Sequence, residues 1–382
     1  MVKISAFASL MPNKKFISKV PTKTYTSYSK NEINAEIQKN PYSFLNIITN
    51  HQIDKQIDRF TYTRNKINTF KKNKILIKTQ QKSLYIYRQS YKEKSYTGLI
   101  CAISLKDYAN KKIKPHEKTI EKREILFAQY LKNTQLHAEP VLIAHNGDLK
   151  GIINPDNLDI SKQTHSFFTD EGIKHEIWEI NKKQEIENIV VFFRQIHSLY
   201  IADGHHRLAS SLRNNKDHMC LAYIVSKNEV NTLPFHRKIL NIQDFDLILK
   251  RMHSKFRIQK NKNLKENSKH LQCYIKKSWY EIELNEQQSL VNNLLVSKLL
   301  YQILNPIFNI KDERKDKNVH FIPGNQNIMQ EIKQCKHNEC IFVMNTIEID
   351  TIMEIADQNK TTPPKSTFIL PKLPSGLIMM EL

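Results

Sequence analysis

SLYIADGHHRLASSL, residues 198–212, passes from an apolar run into a polar, amphipathic one. The apolar letters are typical of a buried strand, and Leu208 and Leu212, four positions apart, share one face of a following helix. Asp203 and Gly204 stand between the two segments. The pattern predicts a strand that turns directly into a helix.

The turn has the composition of an anion site. The first amide groups of a helix have no acceptor within it, and the helix dipole is positive at that end. His205 and His206 add positive charge there, and Arg207 can bind two phosphate oxygens at once. Cations are unfavourable at a helix start unless an anion binds, so we predict that Gly204 and these three residues bind phosphate. Asp203 is predicted to hold Mg²⁺ beside the phosphates, or to be a plain cap with the histidines solvated.

Other chemistries of the histidines are less favoured. Adjacent histidines project from different sides of a helix, unlike the pair four residues apart in a metalloprotease helix. Cys335, His337 and Cys340 are a further set of metal-binding residue types, but a closed zinc site requires four ligands. The sequence also has no Walker loop. Neither a zinc site nor a P-loop is predicted.

Three short segments elsewhere are candidates to complete the phosphate site. They are KPHEKT (114–119) with His116, Glu117 and Lys118, TLPFHRKI (232–239) with His236 and Arg237, and PPKST (363–367) with Lys365. A loop histidine or glutamate can be a general base, and a lysine or arginine can neutralise phosphate charge. Each segment alone is weak evidence, because most such clusters are solvated loop or capping residues.

The remaining patterns mix strands and helices without strict alternation. Residues 82–91 and 96–105 favour neighbouring strands. Residues 29–49 favour a helix with Ser29 as a possible cap, stopped near Asn40 and Pro41. This order favours an α+β (mixed α/β) architecture over a doubly wound sheet. We predict a core region over residues 1–240 and a smaller C-terminal α+β subdomain over residues 241–382. Its proline-rich PPKST tail is expected to be extended and to return to the core.

The charge balance bears on nucleic-acid binding. The 382-residue chain has 59 basic and 38 acidic residues, a net charge of +21, which is compatible with a nucleic-acid partner. The excess is mainly lysine, spread along the chain beside many asparagines and isoleucines, which favours drift in an AT-rich genome. The densest stretch, FKKNKILIKTQQK (70–82), is predicted to be a strand with a solvated face.

Composition also predicts the compartment. No apolar run reaches the roughly 20 residues that span a bilayer, and the N-terminal apolar patch is short, with no basic region before it. The five cysteines, an odd number, favour a reducing environment. We expect a cytoplasmic protein without a membrane partner.

Segments along nearly the whole chain resemble the bacterial and archaeal family catalogued as domain of unknown function 1015. Beside the motifs above, the resemblance rests on NPYSFLNI (40–47), YIYRQSY (85–91), GLICAISLKDY (98–108), AEPVLIAHNG (138–147) and PPKSTFILPKLPSGLI (363–378). The chain departs from the family pattern at PTKTYTSYS (21–29), where a Pro-Tyr-Asp turn is usual. It also has Lys118 where arginine is common and Leu208 where an aromatic residue is common.

The DGHHR segment is similar to one in the ParB/sulfiredoxin-like superfamily, which implies a core of that fold with a mixed sheet. One branch of that superfamily phosphorylates free serine. The resemblance implies that residues 203–207 hold nucleotide phosphates and a metal. Glu117 is expected to be the general base, beside His116. Lys118, Arg237 and Lys365 are expected to be further phosphate clamps.

Three functions follow from these residues. The first is a kinase that uses ATP or ADP with Mg²⁺ and phosphorylates a small molecule, such as free serine or a related hydroxy amino acid. The second is a ParB-like nucleic-acid-binding protein, and the third is a regulatory protein that binds a nucleotide without turnover. The absence of a clear helix-turn-helix segment and the scatter of the lysines favour the first over the second.

Overall fold

The fold is taken from a computed structural model, which describes residues 1–49, 58–153, 163–214, 218–265 and 268–382. Contacts divide the chain into two compact units. The first comprises Met1–Pro115, Thr119–Val230 and Pro371–Leu382, and the second comprises His116–Lys118 and Asn231–Leu370. The PPKST segment therefore groups with the second unit, and the last twelve residues group with the first.

The first unit contains most of the described strands. They are β1 (Ile4–Ser5), β2 (Ser9–Pro12), β3 (Leu76–Lys78), β4 (Leu84–Tyr91), β5 (Lys94–Ser104), β6 (Ile113–Lys114), β7 (Leu136–His137), β8 (Val141–His145), β9 (Gln163–Phe168), β10 (Lys174–Ile180), β11 (Leu199–Asp203), β12 (Met219–Ser226) and β20 (Met379–Glu381). Its helices are α1 (Lys30–Lys39), α2 (Leu45–Ile48), α3 (Arg59–Lys72), α4 (Leu105–Ala109), α5 (Glu121–Thr134), α6 (Lys183–Arg194) and α7 (His205–Asn214).

The second unit has the same mixture of elements. Its strands are β13 (Asn231–Ile239), β14 (Arg257–Asn261), β15 (Leu271–Ile275), β16 (Ser278–Glu283), β17 (Val319–Pro323), β18 (Cys340–Val343) and β19 (Thr367–Leu370). Its helices are α8 (Phe245–His253), α9 (Leu290–Asn293), α10 (Leu295–Lys298), α11 (Asn305–Phe308), α12 (Ile328–Lys333) and α13 (Ile349–Asp357), with a π-helical segment at Leu299–Leu304. The predicted boundary at residues 240 and 241 falls just after β13, the strand with which this unit begins.

The main sheet of the first unit has the order β6-β11-β8-β12-β5-β4-β10-β9, and β1 pairs with β5. The pairs β6–β11 and β8–β12 are parallel, whereas β4–β5, β5–β12 and β8–β11 are antiparallel. The predicted α+β architecture with a mixed sheet is confirmed. The predicted neighbouring strands at residues 82–91 and 96–105 are β4 and β5.

The core of this sheet explains the position of α7. Leu208 is fully buried and belongs to the cluster formed by alternating strand residues such as Ile143 and Ile201. Phe193 of α6 packs into the same cluster, and Leu212 lies at its margin. The predicted apolar face of α7 is therefore the face that anchors the helix, and its first turn stays at the end of β11.

A smaller sheet in the first unit has the order β3-β2-β20-β7. The last strand of the chain thus pairs with β2 through Met379 and Met380, and with β7 through Met380 and Glu381. In the second unit, strands follow the order β14-β16-β15-β18-β13-β17, and β19 pairs with the first half of β13. The C-terminal tail contains two short strands, β19 and β20, and the return of its PPKST segment to the core stays a prediction.

Local signals at the first predicted helix are confirmed. Ser29 caps α1, and its side chain accepts a hydrogen bond from the amide of Glu32, whose carboxylate in turn accepts one from the Ser29 amide. This capping box fixes the helix start. The helix ends at Lys39, two residues before Pro41, as the proline rule predicts.

The prediction of one strand over residues 70–82 is wrong in part. Phe70 lies in the last turn of α3, because it continues the helical spacing of the buried residues Thr63 and Ile67. Only Leu76–Lys78 forms a strand in that stretch. No helix among the described residues is long and apolar enough to cross a membrane.

Candidate functional site

The predicted strand-to-helix turn is present between β11 and α7. The carbonyl of Gly204 accepts the first hydrogen bond of α7, from the amide of Leu208 at 3.1 Å. Gly204 has φ of +96°, and a Cβ at this position would lie 2.9–3.0 Å from guanidinium atoms of Arg207. The left-handed backbone and the close approach both require glycine here. The turn therefore brings the arginine side chain back over the start of its own helix.

Arg207 is held by groups near β8. Its Nη1 donates to the carbonyl oxygen of Pro140 at 2.5 Å and lies 2.5 Å from Oε1 of Glu139. Its Nη2 lies 3.8 Å from Oδ2 of Asp203, which is an ion-pair distance and too long for a hydrogen bond. The guanidinium is thus fixed on one side and has a weaker contact on the other.

Asp203 has a close cationic partner that the sequence did not suggest. Lys372 Nζ donates to Oδ2 of Asp203 at 3.0 Å. Burial opposes ionisation of this carboxyl group, but Lys372 and then Arg207 outweigh it, so the pKa of Asp203 is held well below its usual range. The group is a carboxylate at neutral pH.

Glu139 completes a four-charge cluster in the first unit. Its Oε2 accepts hydrogen bonds from the hydroxyls of Ser375, at 2.6 Å, and Thr24, at 3.2 Å. Two carboxylates, Asp203 and Glu139, therefore alternate with two cations, Lys372 and Arg207. We call these four residues the ionic cluster.

The two histidines of the motif differ in their surroundings. His205 is buried, with 6% of its surface exposed. His206 is half-buried, and its Nε2 accepts a hydrogen bond from the amide of Ile120 at 3.0 Å. This hydrogen bond joins the first turn of α7 to the residue before α5, and the role of His206 at a phosphate stays a prediction.

The first unit also fixes both ends of the loop that contains KPHEKT. Before the loop, β6 pairs in parallel with β11, with Ile113 opposite Leu199 and Lys114 opposite Tyr200. After the loop, the amide of Ile120 is held by His206. The segments that precede and follow the loop are therefore anchored beside β11 and α7.

Within the second unit, the loop residues contact the segment that leads into PPKST. The carbonyl of buried His116 accepts hydrogen bonds from the amide and the hydroxyl of Thr362, at 2.8 and 3.2 Å. Glu117 forms a β-bridge with Thr362. Lys118 is exposed. Two of the predicted segments are thus adjacent in this unit.

The other two predicted cations of the second unit differ from each other. Lys365 is exposed and places its ammonium 4.8 Å from the ring centroid of Phe235. Arg237 is fully buried, and its Nε donates to Glu313 at 2.8 Å. Burial lowers the pKa of Arg237, and Glu313 opposes that effect. Its geometry is that of an internal ion pair.

The predicted residues belong to both units of the chain. Asp203 to Arg207 lie together in the first unit, and His116 to Lys118 lie beside Thr362 in the second. Sequence reasoning missed Lys372 and Glu139. Lys372 lies in PKLPSGLI and Glu139 lies in AEPVLIAHNG. Both segments support the family resemblance, and this is the sequence signal that could have indicated the two residues.

The chain is similar to several solved structures and to one family model. No curated protein matches the chain. Among solved structures, the fold is similar to C-terminally truncated SbnI from Staphylococcus aureus, with a TM-score of 0.41, 8% identity, and coverage of 71% of this chain and 82% of that one. It is similar to a free serine kinase variant in complex with ADP, with a TM-score of 0.41, 13% identity, and coverage of 75% and 93%.

A further similar structure is a conserved hypothetical protein from Pyrococcus furiosus, with a TM-score of 0.39, 13% identity, and coverage of 75% of this chain and 94% of that one. At the level of sequence, the family model described as Protein of unknown function (DUF1015) matches residues 4–302. Because this match spans well over half of the chain, the chain belongs to that family.

Proposed function

We propose that the protein binds a nucleotide by its phosphates at the start of α7 and transfers a phosphoryl group to a hydroxyl of a small molecule. The observation that supports this most directly is the turn at Gly204, where a strand ends in a left-handed glycine and a ten-residue helix begins. The amide of Leu208 makes the first hydrogen bond of the helix, so the amides before it have no acceptor within the helix. Such a terminus, flanked by Arg207 and Lys372, attracts phosphate oxygens.

The ionic cluster favours a ligand that contains both signs of charge. A lone anion would have to compete with Asp203 for Lys372, which lies 3.0 Å from it. A nucleotide with a bound divalent cation avoids this competition, because the cation can take the Asp203 carboxylate while phosphate oxygens take the Lys372 ammonium. One ion pair is then replaced by two, without leaving a charge unpaired.

The residues fit Mg²⁺ in this role. Mg²⁺ is bound by one or two carboxylates together with substrate phosphates, and Asp203 is ionised at neutral pH because of its cationic neighbours. When bound, Mg²⁺ would neutralise charge on the phosphates. Arg207 and Lys372 would orient the same phosphates, and positioning with charge neutralisation supplies most of the catalysis in phosphoryl transfer.

The acceptor is proposed to be free serine or a related hydroxy amino acid, as the resemblance to the free serine kinases of the ParB/sulfiredoxin-like superfamily implies. Glu117 is proposed as the base that takes the proton from the acceptor hydroxyl. Lys118 and Lys365, both exposed, are proposed as additional phosphate clamps. Arg237 is left out of this proposal, since its guanidinium is enclosed with Glu313.

Calorimetric titration with ATP, ADP and CTP in the presence of Mg²⁺ tests the binding step. Asp203→Ala or Arg207→Ala should abolish binding. Lys372→Met should weaken it by about tenfold or more, since a hydrogen bond to a charged group is worth about 1.5–3 kcal/mol. Lys39→Met is the matched control, because Lys39 pairs with Asp170 on an exposed surface. This variant should bind the nucleotide as the parent protein does. If none of the three nucleotides binds the parent protein, the proposal is wrong.

A product assay tests the transfer step. With bound nucleotide and free serine, we expect phosphoserine by ³¹P NMR. Glu117→Gln should remove product formation while leaving nucleotide affinity unchanged, and Glu93→Gln, at an exposed hairpin position, should change neither. Nucleotide binding without product from any hydroxy amino acid would leave the regulatory alternative, and the kinase proposal would fail.

A further inference from the structure

One stretch of the first unit has an unusual distribution of charge. Residues 59–92 contain ten lysines and arginines and not one aspartate or glutamate. Asp58 and Glu93 bound the stretch. Drift toward lysine codons explains a general excess of lysine, but it does not explain why carboxylates are missing from one continuous segment.

Helix α3 displays this segment to solvent. Its buried face is formed by Thr63, Ile67 and Phe70. Its exposed positions recur at helical spacing and are all basic or neutral polar: Arg59, Thr61, Arg64, Asn65, Asn68, Thr69 and Lys72. No apolar or acidic side chain interrupts this exposed row. A row of this kind can meet an acidic polymer along its whole length.

Further exposed lysines extend the row beyond the end of α3. Lys74 follows the helix, and Lys14 and Lys15 lie in the turn after β2. Asn13 joins the two segments, because its side chain donates to the carbonyl of Lys74 at 3.3 Å and its amide donates to the carbonyl of Ile75 at 2.8 Å. We call the exposed cations Lys14, Lys15, Arg59, Arg64, Lys72 and Lys74 the basic surface.

Two carboxylates lie near the basic surface: exposed Asp58, whose side chain caps the start of α3, and Glu381, which is already paired. Glu381 lies 2.5 Å from Nζ of Lys71 and 2.8 Å from Nζ of Lys78. Burial opposes ionisation of Glu381, but these two lysines outweigh it and lower its pKa. Within the described part of the chain, no ion pair engages the six cations of the basic surface.

We propose that the basic surface binds the phosphate backbone of a nucleic-acid duplex. A membrane is a poorer partner, because helices that lie on bilayers pair a basic face with an apolar one, and the exposed row of α3 has none. Arginine, lysine, asparagine and threonine side chains all bond to phosphates and sugars. The 14 residues of α3 extend about 21 Å, which corresponds to about six base pairs at roughly 3.4 Å each.

The proposal does not depend on nucleotide binding at α7. Each phosphate contact releases a counterion, so the plot of log affinity against log salt has a slope of about −0.9 per contact on duplex DNA. With three to six contacts from the basic surface, we expect a slope between about −3 and −5. Binding of this kind would be largely independent of sequence, since phosphate contacts position the duplex and do not read bases.

Fluorescence anisotropy of the full chain with a labelled 20-base-pair duplex, between 50 and 200 mM NaCl, tests the proposal. Arg64→Ala with Lys72→Ala should weaken binding and make the slope less steep by about 2. Lys183→Ala with Lys250→Ala is the control, because it removes two exposed helix lysines elsewhere and the same net charge. The control should bind like the parent protein.

Two results would overturn the proposal. One is no duplex binding at 50 mM salt, including the case in which vesicles of anionic lipid bind instead. The other is an equal loss in the test and control variants, which would mean that only net charge matters. Far-ultraviolet circular dichroism of both variants confirms folding, since the substituted positions are exposed and leave the buried face of α3 intact.

Discussion

Replacement of Gly204 by alanine tests the geometry on which the phosphate site depends. The residue has φ of +96°, beyond the left-handed helical region that other residues occasionally occupy. Strain of this kind costs about 1–3 kcal/mol. The new Cβ would also lie 2.9–3.0 Å from the Arg207 guanidinium. That group is the end of a long side chain, but Glu139 and Pro140 hold it, so moving it adds about 1–3 kcal/mol, as overpacking does.

Two other glycines separate these contributions. Gly172 has φ of +77° with open space around its Cβ position, so Gly172→Ala measures backbone strain alone. Gly151 has neither a positive φ nor a neighbour within 4 Å of that position. Gly151→Ala should change the free energy of unfolding by less than about 0.5 kcal/mol. The expected order of destabilisation is Gly204→Ala, then Gly172→Ala, then Gly151→Ala.

Differential scanning calorimetry measures this order, because about 1 kcal/mol shifts the Tm of a domain of 150–250 residues by about 2–4 °C. Nucleotide titration of the same variants adds a second readout, since only Gly204→Ala displaces Arg207. If Gly204→Ala is as stable as Gly151→Ala, the left-handed turn is not a requirement of the fold. If it is destabilised no more than Gly172→Ala, the contact with Arg207 has no energetic weight.

Two further predictions concern buried groups. His175 is enclosed beside Tyr87 and Phe167, and burial lowers its pKa to about 4, whereas the unfolded chain binds a proton near pH 6.5. Its stabilising contribution, up to about 3 kcal/mol, is complete above about pH 6.5 and is lost as pH falls toward 4. The urea midpoints at pH 7 and pH 4.5 should therefore differ less in His175→Gln than in the parent protein. An equal difference in the two proteins would contradict this prediction. Arg237→Met should lower the free energy of unfolding by about 3–5 kcal/mol, because it leaves Glu313 buried and unpaired. Adding Glu313→Leu should restore much of this loss, as measured by urea unfolding. No recovery in the double variant would argue against the ion pair as the cause.

Local patterns in the sequence were sufficient for most of the elements near the site. The strand-to-helix turn at Asp203 and Gly204 depends on neighbouring residues only: an apolar run, a glycine, and leucines four apart. The same holds for the cap at Ser29 and for the hairpin of β4 and β5. In each case the physical cause acts within a few positions of the chain, so the pattern and its cause are found together.

The partners of the motif could not be predicted in this way. Lys372 meets Asp203 across 169 positions of sequence, because the last residues of the chain pair with β2 and β7. Arg207 is likewise held by the segment before β8, where Pro140 lies 67 positions from it and Glu139 is the preceding residue. The hydrogen bond that His206 accepts comes from the amide of Ile120, 86 positions distant. Pairing that depends on the tertiary fold leaves no periodic signal.

The shape of Arg207's contacts sets a limit on what could replace it. Nη1 is committed to Glu139 and Pro140, whereas the polar contact given for Nη2 among the described residues is the 3.8 Å one with Asp203. A phosphate could therefore be bound through Nη2 without breaking the contacts that hold the side chain. Lysine has one point of charge and cannot face both ways. Calorimetry should thus show that Arg207→Lys is nearly as deficient in nucleotide binding as Arg207→Ala. If lysine restored the parent affinity, this position would supply charge alone and not the two-sided geometry.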